Sequence, residues 1–223
     1  FITFMPKPTI GDWRSGAHIN FSLTSTANSK NIFEGKNGKF SDAAYHAVGG
    51  LIKHGTEITA VACSTVNSYN GLVPIVGGFE GGVHTWAPTQ MAYGDNNRSC
   101  MLRLPQNRFC IENRAADMCM NPYLSLALTT MAVMDGIKNK IDPGKPLNVN
   151  LYTLSPEEIK ASKIKSLPRN LLEAIEKLQH DDFAKEVLGE SMLNQFFAYK
   201  MDEWDRYHQA VSDWEVTEYL RLY

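Results

Sequence analysis

The sequence predicts an α+β fold in which antiparallel strands, packed with helices, precede a helical C-terminal half. Two observations carry this expectation. Up to residue 114 the apolar runs are short, some alternate with period two, and glycine and asparagine punctuate them densely. From Asn121 onward the apolar spacing lengthens to helical period, and helix-start signals recur: Asn121-Pro122, Ser155-Pro156-Glu157-Glu158, and Ser212 with Glu215 three residues on.

Phe1 to Met5 alternate in the manner of a strand, closed by Pro6 and Pro8. With no initiator methionine and no signal-peptide layout, that opening reads as part of a longer chain whose first strand needs neighbours. Residues 17–23 form a second alternating run, and residues 41–54 a helix with Ser41 as N-cap and Gly55 as stop. The glycine-rich residues 72–82 suit a long surface loop or lid. Residues 99–104 and 109–114 read as two strands joined by a tight antiparallel connection through Pro105-Gln106-Asn107. Residues 141–146 are the only linker-like stretch. Near the end, Leu193, Phe196, Phe197, Trp204, Tyr207, His208 and Val211 share one side of a long helix and suit core packing, opposite Lys200, Asp202, Glu203, Asp205 and Arg206.

Composition narrows the function. Across 223 residues, 22 Lys and Arg face 24 Asp and Glu, a net charge of −2 that gives no electrostatic drive toward nucleic acid or anionic lipid. No apolar stretch is long enough for a membrane span. Cys63, Cys100, Cys110 and Cys119 form no C-x-x-C pair and sit among apolar neighbours, the usage of reduced thiols in a cytoplasmic protein. Small-molecule chemistry is the expectation.

Period two in the second strand places His18, Asn20 and Ser22 on one face. Periodicity alone fits a half-solvated sheet. The later strand changes the balance, because Cys110, Glu112 and Arg114 share a face in a run too apolar for a solvent edge. An imidazole and a carboxylate supply ligation for magnesium or manganese when phosphate oxygens complete the shell. Arg98, Arg103, Arg108 and Arg114 crowd a stretch with few acids besides Glu112. Guanidinium groups between buried residues need an anion, and phosphate or carboxylate suits them. Neither a P-loop nor a dinucleotide-binding fingerprint is present.

Six segments in order, Phe4-Met5-Pro6-Lys7-Pro8, Ser15-Gly16-Ala17-His18, Asn97-Arg98-Ser99 through Arg103-Leu104-Pro105, Ile111-Glu112-Asn113-Arg114, Asn121-Pro122-Tyr123-Leu124 and Asp135-Gly136-Ile137-Lys138-Asn139-Lys140, resemble the catalytic domain of the glutamine synthetase superfamily. The ending from Trp204, with Val211-Ser212-Asp213-Trp214-Glu215, resembles the type III, or γ-glutamylmethylamide synthetase-like, branch. The resemblance implies that residues 1–223 are a partial catalytic domain, strand-rich over 1–114 and helical over 115–223. It lacks the family's N-terminal β-grasp domain and the Glu-x-Glu strand that supplies further metal ligands. It also implies a homo-oligomeric ring with active sites between subunits, and a fragment inactive by itself.

Position by position, the resemblance makes His18 and Glu112 ligands of the metal nearer the ATP phosphates. It places Asn20 and Ser22 beside the nucleotide, Arg98 and Arg103 on the phosphates, Arg114 on the glutamate carboxylate and transferred phosphoryl group, and Gly16 in the glutamate-binding loop. The implied reaction joins the γ-carboxylate of glutamate to ammonia or a small amine through a γ-glutamyl phosphate, with ATP as co-substrate and Mg2+ or Mn2+ as cofactor. A non-catalytic structural or regulatory relative, and a ligase for a larger amine, are the alternatives.

Five positions, at four places in the chain, depart from the family pattern. Asn20 replaces a common second histidine, Trp13-Arg14 replace Asn-Gly, and Gly71 replaces an arginine before Leu-Val-Pro. Trp86 replaces the gating glutamate before Ala-Pro, which weakens a pocket for a small cation and leaves apolar room for an alkyl group, unless Glu80 swings in.

Overall fold

The computed structural model describes residues 2–9, 13–72 and 87–222. Among them the strands form one four-stranded sheet, β1 (Ile19–Phe21), β2 (Tyr93–Asp95), β3 (Leu102–Leu104) and β4 (Ile111–Asn113), in the order β1-β4-β3-β2. Both pairs that involve β4 are antiparallel, as the sequence predicts; β2 runs parallel to β3. The α+β expectation holds, although each strand is shorter than its alternating run.

The opening residues are a correction. Ile2 to Met5 are exposed and form no strand, because no strand among the described residues pairs with them. Strand β2 escapes sequence reading because Gly94 interrupts it. That glycine is required by packing: a Cβ there would lie 2.3 Å from the Leu147 carbonyl oxygen. The linker-like residues 141–146 lead into this contact, with the Tyr93 hydroxyl donating to Gly144 O at 2.8 Å.

Helix α1 (Asp42–Lys53) starts where expected, with Ser41 Oγ accepting from Ala44 N. Gly55 does not stop the chain. His54 turns it, and α2 (Gly55–Ala62) begins at once. Gly55 marks a close approach, since a Cβ would meet Met91 Sδ at 2.8 Å. Buried along nearly its whole length, α2 shows no amphipathic stripe, and a one-turn α3 (Val66–Tyr69) follows behind a Thr65/Ser68 capping box. The first half therefore carries more helix than its punctuation suggests.

Helix α4 (Pro122–Lys138) crosses α1 and anchors the core, with Leu128, Ala132 and Val133 packed on it. Its N-cap Asn121 accepts from the amides of Tyr123 and Leu124. Asn121→Ala is expected to cost about 1 kcal/mol in urea unfolding, the usual worth of such a cap. The 135–140 motif has a structural use here: Asp135 accepts from Lys53 Nζ at 2.9 Å and Asn139 Nδ2 at 2.6 Å, and lies 2.8 Å from His54 Nε2.

Helices α5 (Pro156–Ala161), α6 (Leu171–Gln179), α7 (Asp182–Leu188), α8 (Glu190–Gln209) and α9 (Asp213–Tyr219) complete the described chain. Both Ser155 and Ser212 make the expected capping boxes. The apolar side of α8 is buried only toward its start. Leu193, Phe196, Phe197 and Trp204 pack on the core, whereas Tyr207 and His208 are exposed and Val211 lies beyond the helix. Lys200, placed by pattern on the polar side, is 7% exposed and pairs with Glu203 at 2.8 Å. Among the described residues, no helix is long and apolar enough to cross a membrane.

Candidate active site

Pairing places Asn20 opposite Glu112 and Arg103 opposite the same Glu112, so three polar residues from β1, β4 and β3 form one row across the sheet. Their neighbours in sequence, Ile19, Ile111, Leu102 and Leu104, are buried on the other side. Period two thus sends charge to one face while the core holds the other.

Glu112 is the centre of the row and only 3% exposed. His18 Nδ1 lies 3.1 Å from its Oε1, Arg114 Nη1 donates to the same oxygen at 2.7 Å, and Arg103 Nη1 donates to Oε2 at 2.5 Å. Burial pushes the Glu112 carboxyl up, but the bonds from His18 and Arg103 and the charges of Arg114 and Arg103 outweigh it and hold the pKa at about 2. Burial pulls the Arg114 guanidinium below its ordinary range, against the opposing pull of Glu112.

The remaining expected residues fall around this cluster. Arg103 also donates from Nε to Asn96 Oδ1 at 2.9 Å, which fixes its plane, and one N–H on each Nη remains available. Arg114 Nε donates to the backbone carbonyl of Arg98 at 3.1 Å, while the Arg98 side chain is exposed. Asn20 Oδ1 accepts from Arg108 Nη2 at 2.8 Å. Ser22 is exposed, and no hydrogen bond among the described residues ties it to the cluster. Gly16 bridges to Asp117, and a Cβ on Gly16 would lie 3.2 Å from His18 Nε2, so the glycine gives the imidazole room. Trp86, Glu80 and the glycine-rich loop from Gly77 to Gly82 lie outside the described residues.

Beside the cluster sits a cavity of about 190 Å³ lined by Trp13, Arg14, Gly16, His18, Ala87 and Arg114. Sequence reasoning did not find the buried pair Arg14–Asp117, 3.1 Å apart, that stands behind it. The signal was the Trp13-Arg14 departure, but its partner is over 100 residues away. Asn96, which orients Arg103, was equally silent in the pattern; its φ of 55° marks a turn position. All four cysteines are free, with Cys63, Cys100 and Cys110 buried, and burial pushes the thiols of Cys63 and Cys100 up to about 12.

As donors, His18 and Glu112 suit a hard divalent ion: one imidazole, and one carboxylate that stays ionised. Two donors are fewer than such an ion takes, and no group of three or more His, Cys, Asp or Glu converges among the described residues. Water, phosphate or other protein groups would have to complete the shell.

An α+β sheet with this charged row matches a known class, for the glutamine synthetase catalytic domain aligns with residues 1–219. The chain belongs to that family. It is 42% identical to a glutamine synthetase of Methanosarcina mazei over 227 residues, which cover all of this chain and 48% of the relative. It is also 42% identical to a glutamate–methylamine ligase of Methyloversatilis universalis, over 99% of this chain and 49% of that protein. Among solved structures, GmaS in complex with ADP superposes with a TM-score of 0.84 at 34% identity, over 98% of this chain and 49% of that one. The chain spans about half the length of the curated relatives it matches.

Proposed function

We propose that the full-length protein is an ATP-dependent carbon–nitrogen ligase that joins the γ-carboxylate of glutamate to ammonia or a small amine. The observation that carries this reading is the Glu112 carboxylate, kept ionised at about 2 by His18, Arg103 and Arg114, which arrive from three separate segments. A buried acid so surrounded is prepared to face a cation and phosphate, and its surplus of guanidinium groups is prepared to face anions. The ligase names of two relatives support the same chemistry.

In this reading the glutamate γ-carboxylate attacks the terminal phosphate of ATP, ADP leaves, and the amine then displaces phosphate from the acyl phosphate. The protein contributes position and charge rather than a nucleophile. Arg98, exposed, and Arg103, with its two remaining N–H groups, engage the phosphates. Arg114, held by Glu112 and the Arg98 carbonyl, presents its face to the glutamate end, and Gly16 lets the loop close over His18. His18 and Glu112 would hold Mg2+ or Mn2+, which when bound neutralises phosphate charge. Asn20 and Ser22 are assigned to the nucleotide. Assembly into a ring in which a neighbouring subunit completes the site belongs to the same proposal.

Arg98→Ala and Arg103→Ala in the full-length protein are each expected to cost about 2–4 kcal/mol of transition-state stabilisation, read as kcat/KM for ATP. Unchanged kcat/KM in both would overturn the phosphate assignment. Product analysis with glutamate, ATP and either ammonium, methylamine or a polyamine identifies the amine. No amide and no metal-dependent ATP turnover with any of them would point to the non-catalytic relative.

A further inference from the structure

The far edge of the sheet carries a cavity that the ligase reading does not use. Against β2, at the opposite edge from β1, it encloses about 450 Å³, within the roughly 300–1,000 Å³ of small-molecule sites. Its floor is apolar, made by Ile52 near the end of α1, by Met91 and Tyr93, and by Leu147 and Ile164 from two later segments. Both later segments are pinned to that floor: Leu147 N donates to Tyr93 O, the Tyr93 hydroxyl to Gly144 O, and Met91 N to Lys165 O, each at 2.8 Å. Hydrogen bonds of the backbone thus frame the hollow before any ligand arrives.

Charge says what the hollow suits. Lys53, Lys145, Lys163 and Lys165 line it, and no acid does. Lys53 is matched by Asp135 at 2.9 Å. The other three make no ion pair among the described residues, whereas Lys177, Lys185 and Lys200 elsewhere each have a carboxylate within 3.2 Å. Lys165 acts on the buried Glu57 through its charge alone. Overall composition does not force this concentration: the chain carries a net −2, yet residues 138–165 hold six lysines against three acids. The backbone at Lys163 is left-handed, with φ 57°, so the chain turns there and both Lys163 and Lys165 border the cavity.

Three ammonium groups around one apolar hollow suit an anion of more than one charge. A carboxylate offers two oxygens and a single charge, while a phosphate monoester offers three acceptor oxygens and about two charges. The floor adds a preference for an apolar body behind the anion. We propose that this cavity is a binding site for a small phosphate monoester with an apolar or aromatic body. It shares no lining residue with the cluster around Glu112, and it stands independently of the ligase reading.

The test uses the full-length protein and phenyl phosphate as probe, with inorganic phosphate, which lacks the ring, and benzoate, which lacks the phosphate, as controls. Calorimetric titration is run with excess ADP present and again in Arg103→Ala, so that phosphate held by the catalytic cluster is not counted. Phenyl phosphate is expected to bind at least about tenfold more tightly than either control, and to be unaffected by ADP or by Arg103→Ala. Lys145→Gln/Lys163→Gln is expected to weaken it at least about tenfold, with the melting temperature unchanged because both side chains are exposed. Lys163→Gln and Lys165→Gln singly are expected to give smaller losses of the same sign, which keeps the test decisive should the double variant melt early. No saturable binding of phenyl phosphate up to about 10 mM would overturn the proposal. So would binding that vanishes with ADP or in Arg103→Ala and persists in the lysine variants, which would return it to the catalytic cluster. Benzoate bound as tightly as phenyl phosphate would overturn the phosphate assignment. A protein that forms no amide but binds phenyl phosphate through these lysines keeps the site and loses the ligase reading; an active ligase that binds none does the reverse.

Discussion

Glu112→Gln in the full-length protein is expected to lower kcat/KM by at least about a thousandfold and to cost roughly 3–5 kcal/mol of stability. The two losses share a cause. Glutamine keeps the shape and one acceptor oxygen, but the charge that balances Arg114, itself 3% exposed, is gone. A buried guanidinium without its counter-charge is the expensive case, and the oriented His18 and Arg103 lose their common partner. The pH dependence gives an independent check. Folding lowers the Glu112 pKa from an ordinary 4.5 to about 2, so its contribution is complete above about 4.5 and drains away as pH falls toward 2. The shift corresponds to roughly 3 kcal/mol at neutral pH. Urea unfolding at stepped pH should show wild type and Glu112→Gln far apart at pH 7 and converging below about 3. A constant gap across that range would mean that the carboxylate charge is not what the fold relies on.

Gly50→Ala is expected to destabilise the protein by at least about 3 kcal/mol. Helix propensity alone predicts the opposite sign, because alanine in a helix interior is worth about 1 kcal/mol more than glycine. Packing decides. A Cβ on Gly50 would lie 2.0 Å from the carbonyl oxygen of Ala132 and 2.8 Å from Gly136 Cα, and a Cβ on Gly136 would lie 2.1 Å from His46 O. Each helix presents a glycine to the other's backbone, and neither obstacle is the flexible end of a side chain, so α1 and α4 must separate. Equilibrium unfolding in urea measures the loss; a gain in stability would show that the helices part without cost.

How far the sequence could be read depended on the range of the interactions. Local grammar was legible: Ser41, Asn121, Ser155 and Ser212 cap helices within three residues of themselves. The period-two faces of residues 17–23 and 109–114 put His18 and Glu112 each on the polar face of its own strand, but that the two meet, at 3.1 Å, follows only from the β1–β4 pairing. What failed needed partners distant in sequence. Gly94 and Gly55 look like breaks until Leu147 and Met91 are seen to press on them. Helix α2 hides because burial on every side erases the amphipathic stripe. Arg14 reads as an odd substitution until Asp117 and Gly71 are placed around it.

Because Asn20, Glu112 and Arg103 meet only through the hydrogen-bonded alignment of three-residue strands, the length of the 105–110 connection is effectively a tuning parameter. Inserting or deleting a single residue there, with the slip taken up in β4, would bring Ile111 or Asn113 to the position Glu112 holds and turn the acid into the apolar interior. Changes of two residues preserve facing. Loop grafts at this hairpin should therefore be designed in even steps.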